Sequence, residues 1–495
     1  MNRIAERGAV FALALGLAGC ATEMPQPLMP KFVPESFTGP LAPQARIWPQ
    51  AAWWQDFASP ELSDLIAQGQ ANNVDLAMAA ARVMGAQAQA DVQRSALFPQ
   101  LGFRVGTQSA GGNPYTVDAL GQGGSSYATG TYYNLTYGAS YQIDFWGLAR
   151  DNLRAADQTL KSSRFARDVV ALTVTAGIAR DYVDILALRN RVAIARDEIA
   201  AIKGILDIIR LKVSTGTSSR LDLVREQAQA ESAEAELSNL EEQEQEARFA
   251  LALLLGRAPE GFDIMARDLE TLSIPAIAPG LPSHLLRRRP DVAEAEANLA
   301  SAHANLDAAR AAFLPQIRLT EDGGVASTAV TLLLHGSNYA WAYGANLLQT
   351  IFDGGKRYAQ QDAAEASQLQ FVAAYRATVL RALSDVETAL GQVANGGVAA
   401  DHLEQEVIAA RETFRISQLQ FRQGATDLLT VLQAQQTLFS AQERLTAANQ
   451  ARILGMVHLY EALGGGWVAD QADQAQAGFI PAARLATSLQ ADSFH

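Results

Sequence analysis

The chain has 495 residues, of which 49% are hydrophobic and 18% charged, and a formal net charge of −13. This balance belongs to an ordered protein, and acidity without any basic block argues against nucleic acid or anionic lipid as a partner. No run of eighteen apolar residues occurs, so no helix is long and apolar enough to cross a bilayer.

The first element is a targeting segment. Arg3 and Arg7 precede the apolar run "AVFALALGLA", and "LAGC" then ends at Cys20, the only cysteine of the chain. A lone cysteine excludes an intrachain disulfide. Small residues before a cysteine at the end of an apolar run are what bacterial lipoprotein processing cleaves and acylates. Residues 1–19 therefore read as a lipoprotein signal peptide and Cys20 as the lipidated residue. The two or three acyl chains of such an anchor hold a membrane stably. Ala21 stands where an aspartate often retains lipoproteins at the inner membrane, which favours the outer membrane.

Seven of the seventeen prolines lie between residues 25 and 49. Residues 20–58 thus read as an extended tether with little internal structure. Two proline-free tracts follow, 115–258 and 316–480, and they belong to an internal repeat. "NNVDLAMAAARV" (72–83) parallels "RRPDVAEAEANL" (288–299), and "LFPQL" (97–101) parallels "FLPQI" (313–317), both at an offset of 216 residues. Gly147 in "DFWGLAR" aligns with Gly355 in "FDGGKR", Gly216 with Gly424, and "LGRAP" (255–259) with "LGGGW" (463–467), at an offset of 208. Five landmarks in one order make a duplication. Repeat 1 covers 59–260, a linker 261–281, repeat 2 282–467 and a C-terminal tail 468–495.

Each repeat reads helix, two strands, long helix, turn, helix. "FPQLGFRVG" is the first strand, with Leu101, Phe103 and Val105 alternating, and a glycine-rich loop (111–124) leads to the second. In "YNLTYGASYQIDF" (133–145) the odd positions are Tyr, Leu, Tyr, Ala, Tyr, Ile and Phe and the even ones polar or small, which makes one greasy and one wet face. In repeat 2, Tyr339, Trp341, Tyr343, Ala345, Leu347 and Ile351 follow the same rule, interrupted at Leu348 and Gln349. After Gly147 the period changes. Phe165, Val169, Leu172, Ala176, Ala179, Val183 and Leu186 form one stripe, and Leu188, Val192, Ala195, Ile199, Ile202, Leu206, Ile209 and Val213 a second, which predicts a helix over about 148–213. At 1.5 Å per residue it would be about 95 Å long. The charge run "EEQEQEAR" reads as a solvated helix face. Asp75 and Asp291 read as N-caps of the helices opening the two repeats, and Gly464, Gly465 and Gly466 as the stop of the last helix.

Long strands with a tyrosine-rich apolar face suit a barrel wall between lipid and water. Four strands per chain cannot close a barrel, which needs about eight or more, and lipid tolerates no open edge. The fold is therefore a mixture of all-α and membrane β: a duplicated repeat of long antiparallel helices with four strands, closed only by several chains together. The six histidines are scattered without an HExxH or Cys–His spacing, and "GQGGSS" (121–126) lacks the lysine and the strand–helix context of a phosphate loop. No enzyme and no cofactor is indicated.

The lipobox, the paired "FPQ" and "LPQ", "PSHLLRRRPDV" (282–292), "IDFWG", "IFDGG" and "YEALGGGW" (460–467) together resemble the TolC-like outer-membrane factor family, most closely its NodT-type lipoprotein branch serving resistance-nodulation-division efflux pumps. The resemblance covers nearly the whole mature chain. It implies a homotrimer with a 12-stranded β-barrel in outer-membrane lipid and a helical barrel across the periplasm. It also implies a passive efflux conduit for drugs or other small toxic compounds, driven by an inner-membrane pump and docked by a periplasmic adaptor. In that frame the turns at Gly216, Ser218, Ser219 and Asp222 and at Gly424 and Thr426 are the periplasmic tip that meets the adaptor, and Asp222, Leu429 and Gln433 form the channel constriction. Gln433 and Gln436 replace an aspartate and an arginine frequent in the family, which points away from a charged gate to a looser, hydrogen-bonded or apolar closure, with Leu429 as the apolar constriction. A conduit for protein or peptide secretion shares this fold. A lipid-anchored coiled-coil scaffold of the envelope is a further alternative, but it gives no reason for four two-faced strands.

Overall fold

The computed structural model describes residues 33–34, 36–38, 46–110, 130–275, 277–278 and 280–468. Cys20, the glycine-rich loop 111–124 and the tail beyond residue 468 lie outside the described residues. Each half of the chain begins with a 22-residue helix, α2 (Val74–Ser95) and α5 (Pro290–Ala311), the first preceded by α1 (Pro60–Asn72). Strands β1 (Gln100–Ala110) and β2 (Gly130–Ile143) follow in the first half, β3 (Gln316–Ser327) and β4 (Tyr339–Leu348) in the second. Then come long helices of 67 and 68 residues, α3 (Leu148–Ser214) and α6 (Lys356–Gln423), and 35-residue return helices, α4 (Arg220–Leu254) and α7 (Leu428–Ala462). The matched lengths show the duplication in three dimensions. At 1.5 Å per residue the long helices reach about 100 Å.

Both stripes read on α3 are packed. Ala176, Ala179, Val183 and Leu186 are buried in the main core, and Val192, Ala195, Ile199, Ile202, Leu206 and Ile209 are buried further along the helix. The charge run on α4 is used more than a plain solvated face would be. Its Glu241 and Glu244, with Glu234 upstream of the run, bond to Arg196, Arg189 and Lys203 of α3 at 2.7, 2.9 and 2.8 Å, cross-links between the antiparallel helices.

The four strands form one antiparallel sheet in the order β1-β2-β3-β4, so the hairpins of the two repeats lie side by side with β1 and β4 at the edges. The strand expected to reach Ile351 stops at Leu348, and the one expected to reach Phe145 stops at Ile143, because the chain must turn into the glycines that open the long helices. Gly147 and Gly355 stand at φ 90° and 87°, a backbone region glycine enters without steric cost.

Three further expectations need correction. The tether does not run free to residue 58: Trp48, Trp53 and Phe57 are buried, Trp53 stacks on Tyr460 at 4.8 Å, and Arg46–Ile47 pairs in parallel with Ile277–Ala278. Three large aromatic side chains recover more by burial than an extended segment could. Asp75 is not the cap of α2; Asn73 is, its side chain accepting from the Leu76 N–H at 3.0 Å. Asp291 likewise sits inside the first turn of α5, where Pro290 fills the first helical position and the capping residue, Arg289, makes no side-chain cap bond. Asp291 instead pairs with Arg289 at 2.8 Å. The same guanidinium reaches Asp385 of α6 at 3.1 Å and the Ala462 carbonyl at 3.0 Å.

The Arg289 contacts explain why the "RRRPD" and "ALGGGW" motifs occur together: they are two sides of one joint in the main core. Gly464 turns there at φ 86°, and a Cβ on it would fall 1.9 Å from the Arg288 carbonyl oxygen.

Candidate functional site

Two surfaces carry the functional expectations, the helix turns at one end and the sheet. At the first turn, α3 ends at Ser214 and Gly216 reverses the chain at φ 72°. The Thr217 N–H returns to the Lys212 carbonyl at 2.8 Å, and the Thr217 hydroxyl donates to that same carbonyl at 3.1 Å. Ser219 then caps α4 in a reciprocal box: the Asp222 N–H donates to Ser219 Oγ at 3.1 Å, and the Ser219 N–H donates to Asp222 Oδ2 at 3.1 Å. The Ser218 hydroxyl donates to the same carboxylate oxygen at 2.9 Å. Hydrogen bonds from Ser219, with that of Ser218 and the nearby Arg225, hold the Asp222 carboxyl below its usual range. These hydrogen-bond partners all lie in its own turn. Asp222 therefore acts locally, fixing the start of α4.

The second turn solves the same problem with different side chains. Gly424 takes φ 77° and the Ala425 N–H bonds back to the Gln420 carbonyl at 2.9 Å. Asp427 caps α7, accepting from the Thr430 N–H at 3.0 Å and its hydroxyl at 2.7 Å. Thr426 is half-buried beside this cap. Leu428 is buried in the packing of α3, α6 and α7, whereas Leu429 is 44% exposed and Gln433, one turn on, is exposed as well. Leu429 and Gln433 thus share an outward face of α7. Asp222 belongs to the other turn.

One contact that sequence reasoning missed joins the two turns. Lys212, in the last turn of α3, donates from Nζ to the Phe421 carbonyl of α6 at 2.9 Å and sits 4.0 Å from the centroid of the Phe421 ring. A basic residue in the last turn of a helix is a familiar pattern, but nothing in the sequence marks a carbonyl 209 residues away as its acceptor.

The sheet presents rows of side chains across its strands. Val105–Leu135–Val325–Tyr339, Phe103–Tyr137–Gly323–Trp341 and Ile143–Ile317–Leu347 lie on one face, and Arg104–Thr136–Gly324–Ala340 and Gln142–Arg318–Asn346 on the other. Phe103, Val105, Trp341, Tyr343 and Leu347 are all more than 60% exposed, so the apolar face has no covering layer within the chain. It is built with care. The Tyr137 ring lies over Gly323, leaving no room there for a Cβ, and its hydroxyl meets that of Tyr339 at 3.1 Å. Trp341 and Tyr343 stack at 5.6 Å. Among the described rows Glu321 is the one acid on this face, between Ala139 and Tyr343.

Among the described residues no group of acids, histidines or cysteines is arranged to hold a metal ion, and no helix is long and apolar enough to cross a membrane. Two segments of the chain, 65–257 and 281–465, match the family model described as outer membrane efflux protein. The chain is 36% identical over 465 residues to the pyoverdine export outer membrane protein OpmQ of Pseudomonas putida, covering 93% of this chain and 97% of that protein. It is 30% identical over 467 residues to the cation efflux system protein CusC of Escherichia coli, at 92% and 98% coverage. Of solved structures, the outer-membrane channel OprN superposes with a TM-score of 0.82 at 25% identity over 90% of this chain and 99% of that one. The open state of the Neisseria gonorrhoeae MtrE outer membrane channel superposes with a TM-score of 0.79 at 29% identity, over 90% and 98%. With the duplicated fold and both segments matched, the chain belongs to the outer membrane efflux protein family.

Proposed function

We propose that this protein is the outer-membrane channel of a tripartite efflux system, a passive conduit for small toxic compounds or drugs that works with an inner-membrane resistance-nodulation-division pump and a periplasmic adaptor. The observation that carries this reading is the uncovered, two-edged sheet set on helices of about 100 Å. Strands of 10 to 14 residues suffice for the roughly 9–11 that a tilted strand needs to cross the hydrocarbon. Lipid is the one surrounding in which that apolar face is satisfied, and there neither edge can stay unpaired. Strand directions alternate from β1 to β4, so the β4 of one copy can take the β1 of the next in antiparallel pairing. Three copies give twelve strands, within the range of single-pore outer-membrane barrels. The lipid anchor at Cys20 adds to the hold of the barrel.

The helical turns then form the periplasmic tip. Gly216, Ser218, Ser219, Asp222, Gly424 and Thr426 make the surface offered to the adaptor. Leu429 and Gln433 line the constriction, with Asp222 next to it. Small-molecule export is favoured over protein secretion because relatives are named for pyoverdine export, cation efflux and toluene efflux.

The test is purification in detergent followed by mass measurement and planar-bilayer recording. The expected mass is about three times the 52.9 kDa chain less its signal peptides, with discrete conductance steps. A stable monomer without conductance would sink the reading.

A further inference from the structure

Glu226 stands one and a half turns into α4, and its side chain is fully inaccessible to solvent. Neither carboxylate oxygen has a hydrogen-bond partner. It occupies the inner stripe of α4. Leu223 on one side packs with Ile205 and Ile209, and Ala230 and Ala233 on the other pack with Ile199 and Ile202, all four isoleucines on α3. The charged groups of the facing stretch of α3 are turned elsewhere. Lys203 holds Glu234, Arg210 holds Asp207, and Lys212 is bound to Phe421. On α4 itself Asp222 is committed to the cap, and Arg225 points to solvent. On the second turn Arg422 is exposed and Asp427 is bonded to Thr430.

The duplication supplies an internal comparison. At the offset of 208 that superposes Gly216 on Gly424, Glu226 falls on Ala434, buried in the equivalent stripe of α7. The fold therefore needs no acid at this position, and a small apolar residue fills it in the other copy. An isolated ionised carboxylate is costly to bury, and a neutral acid far less so.

We infer that Glu226 makes the first tip hairpin, α3–α4, pH-responsive: it packs tightly while the acid is neutral and loosens when the proton leaves to solvent, whereas the second hairpin, with Ala434, does not respond. Burial pushes the carboxyl up to about 7 from the ordinary glutamate value of 4.5. A folded-state value above the open-state one means the acid favours the closed hairpin at low pH. That support is lost as pH rises from about 4.5 through about 7. Because the side chain is already sealed within one chain, the response belongs to the hairpin and does not depend on the channel reading.

The test is amide hydrogen exchange on the full-length protein and on Glu226→Gln and Glu226→Ala, each pair compared at the same pH so that intrinsic exchange chemistry cancels. The ratio of wild-type to variant exchange across residues 200–232 should be near one at pH 4, where the acid is neutral in both states. It should climb by at most tenfold per pH unit and reach roughly tenfold or more by pH 7.5. The ratio across residues 408–440 should stay near one throughout. Both variants remove the charge, so agreement between them separates ionisation from side-chain shape. A ratio in the first hairpin that is flat with pH for both variants would overturn the inference. So would an equal rise in both hairpins.

Discussion

Removing the Lys212 ammonium should loosen the tip. The ammonium makes a charge-assisted hydrogen bond to the Phe421 carbonyl at 2.9 Å and lies 4.0 Å from the centroid of the aromatic ring. In other proteins such hydrogen bonds contribute about 1.5–3 kcal/mol and exposed cation–π contacts about 0.5–1 kcal/mol. Lys212 is half-buried, so solvent and salt reduce both, and about 1–2 kcal/mol per chain remains. This corresponds to roughly a tenfold change in the equilibrium between joined and parted turns. Lys212→Met keeps the stem and removes the charge; Lys212→Arg keeps the charge. In planar bilayers the Met variant should raise basal conductance by about that factor, growing weaker at high salt, while the Arg variant should stay near wild type. Leu429→Ala should also raise conductance, and by more than Asp222→Ala, whose carboxylate is spent on its own helix cap. If Lys212→Met matches wild type while Asp222→Ala opens the channel widely, the assignment of the joining contact to Lys212 is wrong.

Other outcomes follow from other parts of the molecule. Gly464→Ala must adopt φ 86° with its Cβ 1.9 Å from a carbonyl oxygen, so folded oligomer should be lost on mildly denaturing gels. Asp181 is pushed up to about 6 by burial, with a further push from Asp184 against the pull of Arg180. It therefore favours the folded state at low pH and, with solvent screening its partly exposed carboxylate, subtracts on the order of 1–2 kcal/mol as pH rises from about 4 through 6. Asp181→Asn should then melt higher than wild type at pH 8 and like it at pH 4. Metabolic labelling with a fatty acid should mark the wild-type protein and spare Cys20→Ser; equal labelling of both would refute lipidation at that residue.

The long helices and their ends were legible because their determinants are local. A glycine that must take a positive φ interrupts a periodic stripe at Gly147, Gly216, Gly355 and Gly424, and each interruption is where the chain turns. The strands were legible for the same reason, since a helix would scatter a period-two pattern of this length around its whole circumference. Caps were harder. In "NNVDL" two acceptors compete, and Asn73 wins because it is the last residue outside helical geometry, not because aspartate caps less well. The aromatic end of the tether was hidden by its prolines, which speak for extension upstream and say nothing of Trp53 and Phe57 finding Tyr460 some four hundred residues away. At the tip, the sequence located both turns. It gave no warning that Asp222 is bound within its own cap, nor that Lys212 reaches Phe421, because both depend on where a side chain points once two helices are fixed.

The sheet has two unlike edges, β1 and β4. In the three-chain ring proposed above, each chain would offer one strand and accept another, a heterologous contact. A ring of this kind is vulnerable to a single faulty member. A chain with an N–H-less proline set into β1 can still accept through β4, but it cannot close the circle. Co-expressed in equal amount with the wild type, it would leave about one ring in eight intact if three chains assemble at random. Such an edge mutation should act as a dominant poison, whereas loss of the gene product would only reduce the number of pores.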